Sequence, residues 1–326
     1  MTTVRDAVSL PAKKNFAFNI RDFGIVFGLT AIILLLAINT TTFLTSGNVI
    51  NLFDQAAVVG LLSAGATLCI ISGVFDLSST ASLAVSAIVG VRITQEFGVV
   101  VGFLGAVGVG ILLGTITGLI VVGTRVNSFI GTLAISIIYR GVAIVITGGA
   151  IVAPLPEQLD SFRVWTWPSV FNLTSGSVLM IVIMVVLAIV LWRTTFGRRV
   201  YAVGGNQEAA RLSGIRTRSI HVAVFAISGM CSAMAGMILA SRAGSAQPSM
   251  AVGVELTAIA AVIIGGTSIL GGQGALWRTF VGVMLLTVIG NGFNLLHWDT
   301  IYQQVVTGVL ILLAVAVDGL FLRKRE

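Results

Sequence analysis

Few residues in this chain could carry chemistry, and most of those sit in apolar surroundings. Arg140 falls about midway along an apolar run from Phe129 to Gly148, where an unpaired charge costs roughly 2.5 to 3.5 kcal/mol on insertion scales. It must therefore face protein, water or an acid. Two roles are open to it: hydrogen-bond donor to a hydroxylated solute in a pathway, or structural partner of Asp76 or Glu255. Asp76 and Ser78 follow a glycine break after the second apolar run, and Asn291 and Asn294 lie one helical turn apart near the end of a late one. The asparagines could line a polar route or hydrogen-bond between helices. Asp76, Ser78, Arg140, Glu255, Asn291 and Asn294 together form the candidate pathway set. Arg92 and Glu96, at i and i+4, read as a local pair.

Two other chemistries have residues to name. Gly266-Thr267-Ser268 with His297 would suit an intramembrane serine hydrolase, which needs a base within hydrogen-bond reach of the nucleophile. Asp76 and Glu255 would suit an ion-coupled secondary carrier, which needs acidic relay groups within the membrane. His221 and His297 are the only imidazoles, and Cys69 and Cys231 stand singly in apolar runs, so neither a metal knuckle nor a disulfide framework is suggested. Lys13, Lys14 and Lys324 are the only lysines, and none ends a GxxxxGK[ST] phosphate loop. No catalytic residue, metal ligand or cofactor site is expected in this chain; if ATP powers it, another chain binds the nucleotide.

The elements that must position these residues follow from composition. Of 326 residues, 56% are hydrophobic and 10% charged, against about 25% charged in an average soluble domain. That is too little polar surface for a water-soluble fold of this size, so the expected class is an all-α polytopic membrane protein. A crossing needs about 20 apolar residues. Ten runs meet that ruler: Phe23 to Asn39, Phe53 to Ser72, Ser78 to Gln95, Gly98 to Val122, Phe129 to Gly148, Val178 to Trp192, Ile220 to Ala240, Val254 to Leu270, Leu276 to Leu296 and Tyr302 to Leu320. The organisation expected is a leader (1–22), one transmembrane domain (23–320) with an inner loop at 193–219, and a tail (321–326). The first run lacks a convincing small-residue cleavage site and reads as a retained helix.

Charge tests the count independently, because cytoplasmic flanks carry excess Lys and Arg. The leader, the loop with Arg193, Arg198, Arg199, Arg211, Arg216 and Arg218, and the tail with Arg323, Lys324 and Arg325 all fall on one side if there are ten crossings. Both termini are then cytoplasmic. Trp165, Trp167 and Trp298 fall at the outer boundary and Trp192 and Trp277 at the inner one, where amphipathic rings belong. The net charge of +7 needs no nucleic acid to explain it, since no clustered basic face with interleaved aromatics accompanies it.

Within the inner loop, Asn206 is a good N-cap, Glu208 sits in the first turn and Gly214 suits the stop. A short helix over Gln207 to Ser213 is predicted. The segment Asn206, Gln207, Glu208, Ala209, Ala210, Arg211, Leu212, Ser213 and Gly214 has the composition of a docking element for a partner chain. Glycines recur at four-residue spacing at Gly98 and Gly102, and at Gly110, Gly114 and Gly118, which lets helices approach closely. Gly73, and Gly265-Gly266 with Gly271-Gly272, interrupt apolar segments in the two halves of the chain, the pattern of an internal repeat around a central pathway.

The stretches FGRRVYAVGGNQEAARLSGI (Phe196 to Ile215), SGMCSAMAGMILASRAGSAQP (Ser228 to Pro248), ELTAIAAVIIGGTSILGGQGA (Glu255 to Ala275), NGFNLL (Asn291 to Leu296) and NSFIGTLAISIIYRG (Asn127 to Gly141) with TGG at Thr147 to Gly149 resemble the permease subunit of ribose-type monosaccharide ABC importers. The resemblance covers most of the chain after residue 55. It implies an ABC importer permease fold in the bacterial inner membrane, a second permease chain, identical or related, and a cytoplasmic helix that docks on an ATP-binding cassette ATPase holding ATP-Mg. It also implies an extracytoplasmic solute-binding protein that delivers the substrate. Family members usually continue the second segment as Gly-x-Ile-Asp-Leu-Ser-Val-Gly-Ser; here Gly73-Val-Phe-Asp-Leu-Ser-Ser-Thr-Ala-Ser82 keeps Asp76, Leu77 and Ser78 and departs at Phe75 and after Ser78.

Overall fold

A computed structural model describes residues 20–169, 172–298, 301–303, 305, 306, 308, 309 and 312. Most of the tenth apolar run, most of the leader and the whole tail lie outside them. The helices in chain order are α1 (Ile20–Asn39), α2 (Ser46–Ile71), α3 (Ser79–Phe97), α4 (Val99–Thr124), α5 (Ser128–Thr147), the single turn α6 (Leu159–Phe162), α7 (Ser175–Arg193), α8 (Thr195–Gly205), α9 (Gln207–Leu212), α10 (Thr217–Ala243), α11 (Val254–Ile264) and α12 (Leu276–Leu295). Among the described residues, extended pairing is limited to two isolated bridges, Val152 with Ala246 and Pro168 with Thr174. Six helices among the described residues, α2, α4, α5, α7, α10 and α12, are long and apolar enough to cross a membrane. The chain is an all-α polytopic membrane protein.

Burial sorts these helices into an inner and an outer group. Of the most apolar stretch, 83% is buried in α2 and 67% in α10, against 22% in both α4 and α5. The inner helices therefore read as apolar on all sides, and the outer ones leave Ile130, Ile137, Ile138 and Val145 of α5 exposed to lipid or to another chain. Close approach of α4 and α10 depends on the expected glycines. A Cβ on Gly110 or Gly114 would overlap the carbonyl oxygens of Gly229 and Phe225, and one on Gly229 would overlap that of Gly110. Small residues let two backbones touch where lipid supplies no hydrophobic drive.

Three elements differ from the sequence expectation. Helix α2 starts at Ser46, not Phe53, because the Thr45 hydroxyl caps it by accepting from Asn48 N. Its first turns carry Asn48, Asn51, Asp54 and Gln55 and so fail an apolar ruler. The stretch Thr195–Gly205, expected as loop, is helical, capped by the Thr194 hydroxyl accepting from Gly197 N at 3.2 Å. The eighth run does not span: α11 stops at Ile264. Eleven residues rise about 16 Å, roughly half the hydrocarbon core.

Candidate functional site

A polar site surrounds the start of the half-length helix α11. The chain between α10 and α11 is irregular. It leaves α10 at Gly244 (φ +67°), pairs Ala246 with Val152 of the loop after α5, and enters α11 through Ala251 and Gly253, both at positive φ. Irregular backbone inside a membrane needs internal partners for its carbonyls, and Arg140 supplies them. Its Nη1 donates to Pro248 O at 2.6 Å and Met250 O at 2.7 Å. Arg140 is half-buried on α5, and Glu255, in the first turn of α11, is also half-buried. The Glu255 carboxylate accepts from the Thr80 hydroxyl at 2.7 Å, which joins the first turn of α11 to the first turn of α3. Arg140 is thus a structural donor, but to backbone carbonyls rather than to Asp76 or Glu255 as a paired acid.

Asp76 lies in the break between α2 and α3 and is buried with Ser78. One carboxylate oxygen accepts from Ser78 N at 3.0 Å and Ser78 Oγ at 2.6 Å, and the other from Ser228 Oγ of α10 at 2.6 Å. The α2–α3 break is held from α5 as well: the Ser128 hydroxyl accepts from Phe75 N and the Thr132 hydroxyl from Leu77 N, each at 3.0 Å. Asp76 therefore clamps the break between neighbouring helices, and the Asp76–Arg140 pair considered from sequence gives way to hydroxyl donors on one side and carbonyl acceptors on the other.

The remaining predicted residues are scattered. Asn291 and Asn48 exchange amide hydrogen bonds at 2.8 and 3.1 Å in a buried contact between α12 and α2. Asn294 is exposed one turn further on. Arg92 donates to Ile146 O at 2.7 Å, reaching the last turn of α5 in place of the local partner Glu96. Ser268 and His297 lie before and after the 20-residue α12, hence about 30 Å apart, and cannot act as nucleophile and base within one chain. Missed from sequence is a cluster at the end of the bundle remote from α9. There Arg242 of α10 pairs with Asp54 of α2 at 2.7 Å, and the Thr174 hydroxyl donates to the same carboxylate at 3.0 Å. Charges near two helix ends were its only signal.

At the α9 end the segment 194–216 forms one compact unit. Asn206 ends α8 and caps α9, its Oδ1 accepting from Ala209 N at 2.9 Å. Gly214 adopts φ +82°, which an L side chain rarely tolerates. Ala210 is buried while Glu208, Arg211 and Leu212 project outward, Leu212 at 77% exposure. Glu208 and Arg211 form a two-pronged pair at 2.6 and 3.0 Å. Hydrogen bonding to Arg211 draws the Glu208 carboxyl below its ordinary value and raises the Arg211 guanidinium.

This unit is seated on both glycine breaks. Gly272 N donates to Ile71 O at 2.8 Å, and Gly271 packs against Gly73. Gly204 of α8 fits between them, where a Cβ would overlap Ile71 O and come 2.7 Å from Gly272 N. Tyr201 donates its hydroxyl hydrogen to Gly274 O at 2.8 Å, and His221 Nε2 lies 3.1 Å from Ser72 O. The breaks of the two halves, the foot of α10 and the α8–α9 unit therefore share one seam.

Comparison with known proteins agrees with this architecture. The sequence profile of the family described as branched-chain amino acid transport system / permease component matches residues 48–315. The ribose import permease protein RbsC of Bacillus subtilis (strain 168) is 37% identical over 299 residues, covering 91% of this chain and 92% of its own. The D-allose transport system permease protein AlsC and the L-arabinose transport system permease protein AraH, both of Escherichia coli (strain K12), are each 34% identical. AlsC covers 98% of both chains, and AraH covers 98% of this one and 97% of its own. No solved structure matches.

Proposed function

Because the chain belongs to the permease-component family of branched-chain amino acid transport systems, we propose that it is the membrane permease of an ATP-driven importer. Its relatives named for ribose, allose and arabinose point to a monosaccharide or similar small polyhydroxylated solute as cargo. The chain sits in a bacterial inner membrane with both termini and the α9 end in the cytoplasm. It pairs with a second permease chain, takes solute from an extracytoplasmic binding protein, and docks through Asn206 to Gly214 on an ATPase that holds ATP-Mg. It makes and breaks no bond in its cargo and has no ATPase site of its own.

The observation that carries this reading is the seam. The outward-facing α9, capped by Asn206, follows directly on α8, which packs through Gly204 onto the breaks of α2–α3 and α11–α12, so a displacement of α9 can pass to both. Those breaks lead to Asp76 on one side and to the half-helix bearing Glu255 on the other. Glu255 and Arg140, both half-buried, offer carboxylate and guanidinium, complementary to a sugar's hydroxyls, while the buried Thr80 holds the carboxylate in place. Alternating access then requires that the outward and inward forms differ in affinity for their partners, so that ATP can bias the cycle. A serine hydrolase is disfavoured by the separation of Ser268 from His297. An ion-coupled carrier is disfavoured by the hydroxyl-saturated Asp76.

Reconstitution with a cognate ATPase and binding protein tests the docking role. Glu208→Ala, Arg211→Ala and Leu212→Asp should each lower ATPase association and ATP-dependent uptake while the permease stays folded and inserted. Unchanged association and uptake in all three would overturn it.

A further inference from the structure

A cleft of about 390 Å³ opens at the α9 end, lined by Arg199, Gly214, Arg216, Ser219 and Ile220. That volume lies within the roughly 300 to 1,000 Å³ of small-molecule sites. Both arginines are exposed, and among the described residues neither has an ion-pair partner. Arg211, by contrast, is neutralised by Glu208 on α9. The cleft has an acceptor-poor, cation-rich lining: two guanidiniums and a hydroxyl, with no carboxylate among its residues. Such a lining suits a phosphate oxyanion, which guanidinium groups bind in a two-pronged fashion.

Depth identifies the source of that phosphate. The cleft floor, Ile220, is buried and is the first apolar residue of α10, so the cleft lies where hydrocarbon gives way to headgroups. Trp192, in the last turn of α7, and Trp277, in the first turn of α12, are 73% and 48% exposed at the same end. Exposed indoles are the signature of the interfacial layer. The Arg193 guanidinium lies 4.0 Å from the centre of the Trp192 ring, a further cation held at that level. Of the docking segment proposed above, Asn206 to Gly214, only Gly214, which has no side chain, enters the lining. We propose that this cleft binds the phosphodiester headgroup of an anionic phospholipid. Basic pockets between helices at a cytoplasmic membrane face bind such headgroups. The lipid would seat against the foot of α8 and α10 and brace the seam from the membrane side. The proposal rests on the orientation proposed above only in naming the leaflet.

The test uses the full chain in nanodiscs of phosphatidylcholine with or without phosphatidylglycerol, with retained lipid counted by native mass spectrometry. Phosphatidylglycerol should be retained selectively, and Arg199→Gln with Arg216→Gln should weaken retention roughly thirtyfold, taking about a tenfold per 1.4 kcal/mol and about 1 kcal/mol per arginine. Arg199→Lys with Arg216→Lys, which keeps the charge, should restore part of it, and Arg163→Gln at the opposite end should have no effect. Unchanged thermal midpoints confirm folding, and the Lys pair serves if the Gln pair does not fold. Inorganic phosphate should not displace the lipid; displacement by phosphate, with no preference for phosphatidylglycerol, would overturn the lipid assignment. Equal retention by the Gln pair would overturn the site. Unchanged lipid retention with lost ATPase association would show that the cleft receives an acidic side chain of the ATPase, and would also overturn it. Lipid retention is read without transport, so its failure is distinguishable from failure of the importer reading.

Discussion

At the scale of single residues, the polar groups inside the bundle divide into clamps and accessible groups. Asp76 accepts three hydrogen bonds in a buried setting, whereas Arg140 and Glu255 remain half-buried. Arg140→Gln should therefore lower uptake about tenfold or more, since hydrogen bonds to charged groups contribute roughly 1.5 to 3 kcal/mol, while the binding protein keeps its affinity for solute. Rates of solute uptake beside equilibrium binding to the isolated binding protein would separate the two. The Asn48–Asn291 exchange makes a different prediction. Asn291→Leu leaves the Asn48 Oδ1 without its donor, while Asn48 Nδ2 keeps Phe43 O, and should destabilise the fold by roughly 0.6 to 2 kcal/mol; Asn48→Leu with Asn291→Leu should recover part of it in thermal unfolding. Glu208 gives a pH prediction. Its folded value is lowered, so the contribution of its pair with Arg211 is complete above the ordinary carboxylate range and lost only as pH falls through the lowered value. ATPase association should be flat from about pH 8 to about pH 6 as far as this carboxylate is concerned. That Arg140 and Asp76 need partners inside the bundle was legible in the sequence, because a charge in an apolar run needs a reason. Their partners were not: Arg140 bonds carbonyls 108 and 110 residues away, on a stretch whose irregular path has no periodic signature.

At the scale of elements, the seam and the α4–α10 contact are the places where backbone geometry leaves no room. Gly204→Val puts a branched side chain against Ile71 O and Gly272 N. We expect ATPase association to survive, because α9 keeps its own cap, while ATP hydrolysis and uptake become uncoupled. Hydrolysis and uptake measured in the same vesicles would show this as a raised ratio of ATP consumed to solute moved. Gly114→Leu should be worse, preventing stable insertion by driving α4 from α10, and would be read as loss of monodisperse protein in detergent. Element ends show how far local sequence reaches. The cap at Asn206 and the stop at Gly214 were readable because both follow from side-chain and backbone preferences of neighbouring residues. Helix α8 was missed because Thr195 to Gly205 looks like a basic, glycine-bearing loop. Its buried positions Val200 and Val203, after Gly197, carried a helical spacing that charge obscured. The length of α11 was overestimated because apolar residues continue past Gly265, where the chain turns into the seam.

At the scale of the whole molecule, the few charges are unevenly placed. Buried α2 and α10 form the inner structure, α4 and α5 face outward, and the most arginine-rich segment gathers around α8, α9 and the foot of α10. The membrane class could be read from composition alone, since no other solvent suits so apolar a surface. The meeting of the two glycine breaks could not, because it depends on helices distant in sequence packing in one particular way. The central claim is that ATP bound elsewhere drives solute through this chain. The most direct measurement is accumulation of labelled monosaccharide in proteoliposomes holding the permease, its ATPase and its binding protein, with ATP supplied on the α9 side. Accumulation against a gradient should require ATP hydrolysis and the binding protein, and should be lost in Leu212→Asp. Accumulation driven by an imposed proton or sodium gradient without ATP, and undiminished in that variant, would contradict the claim.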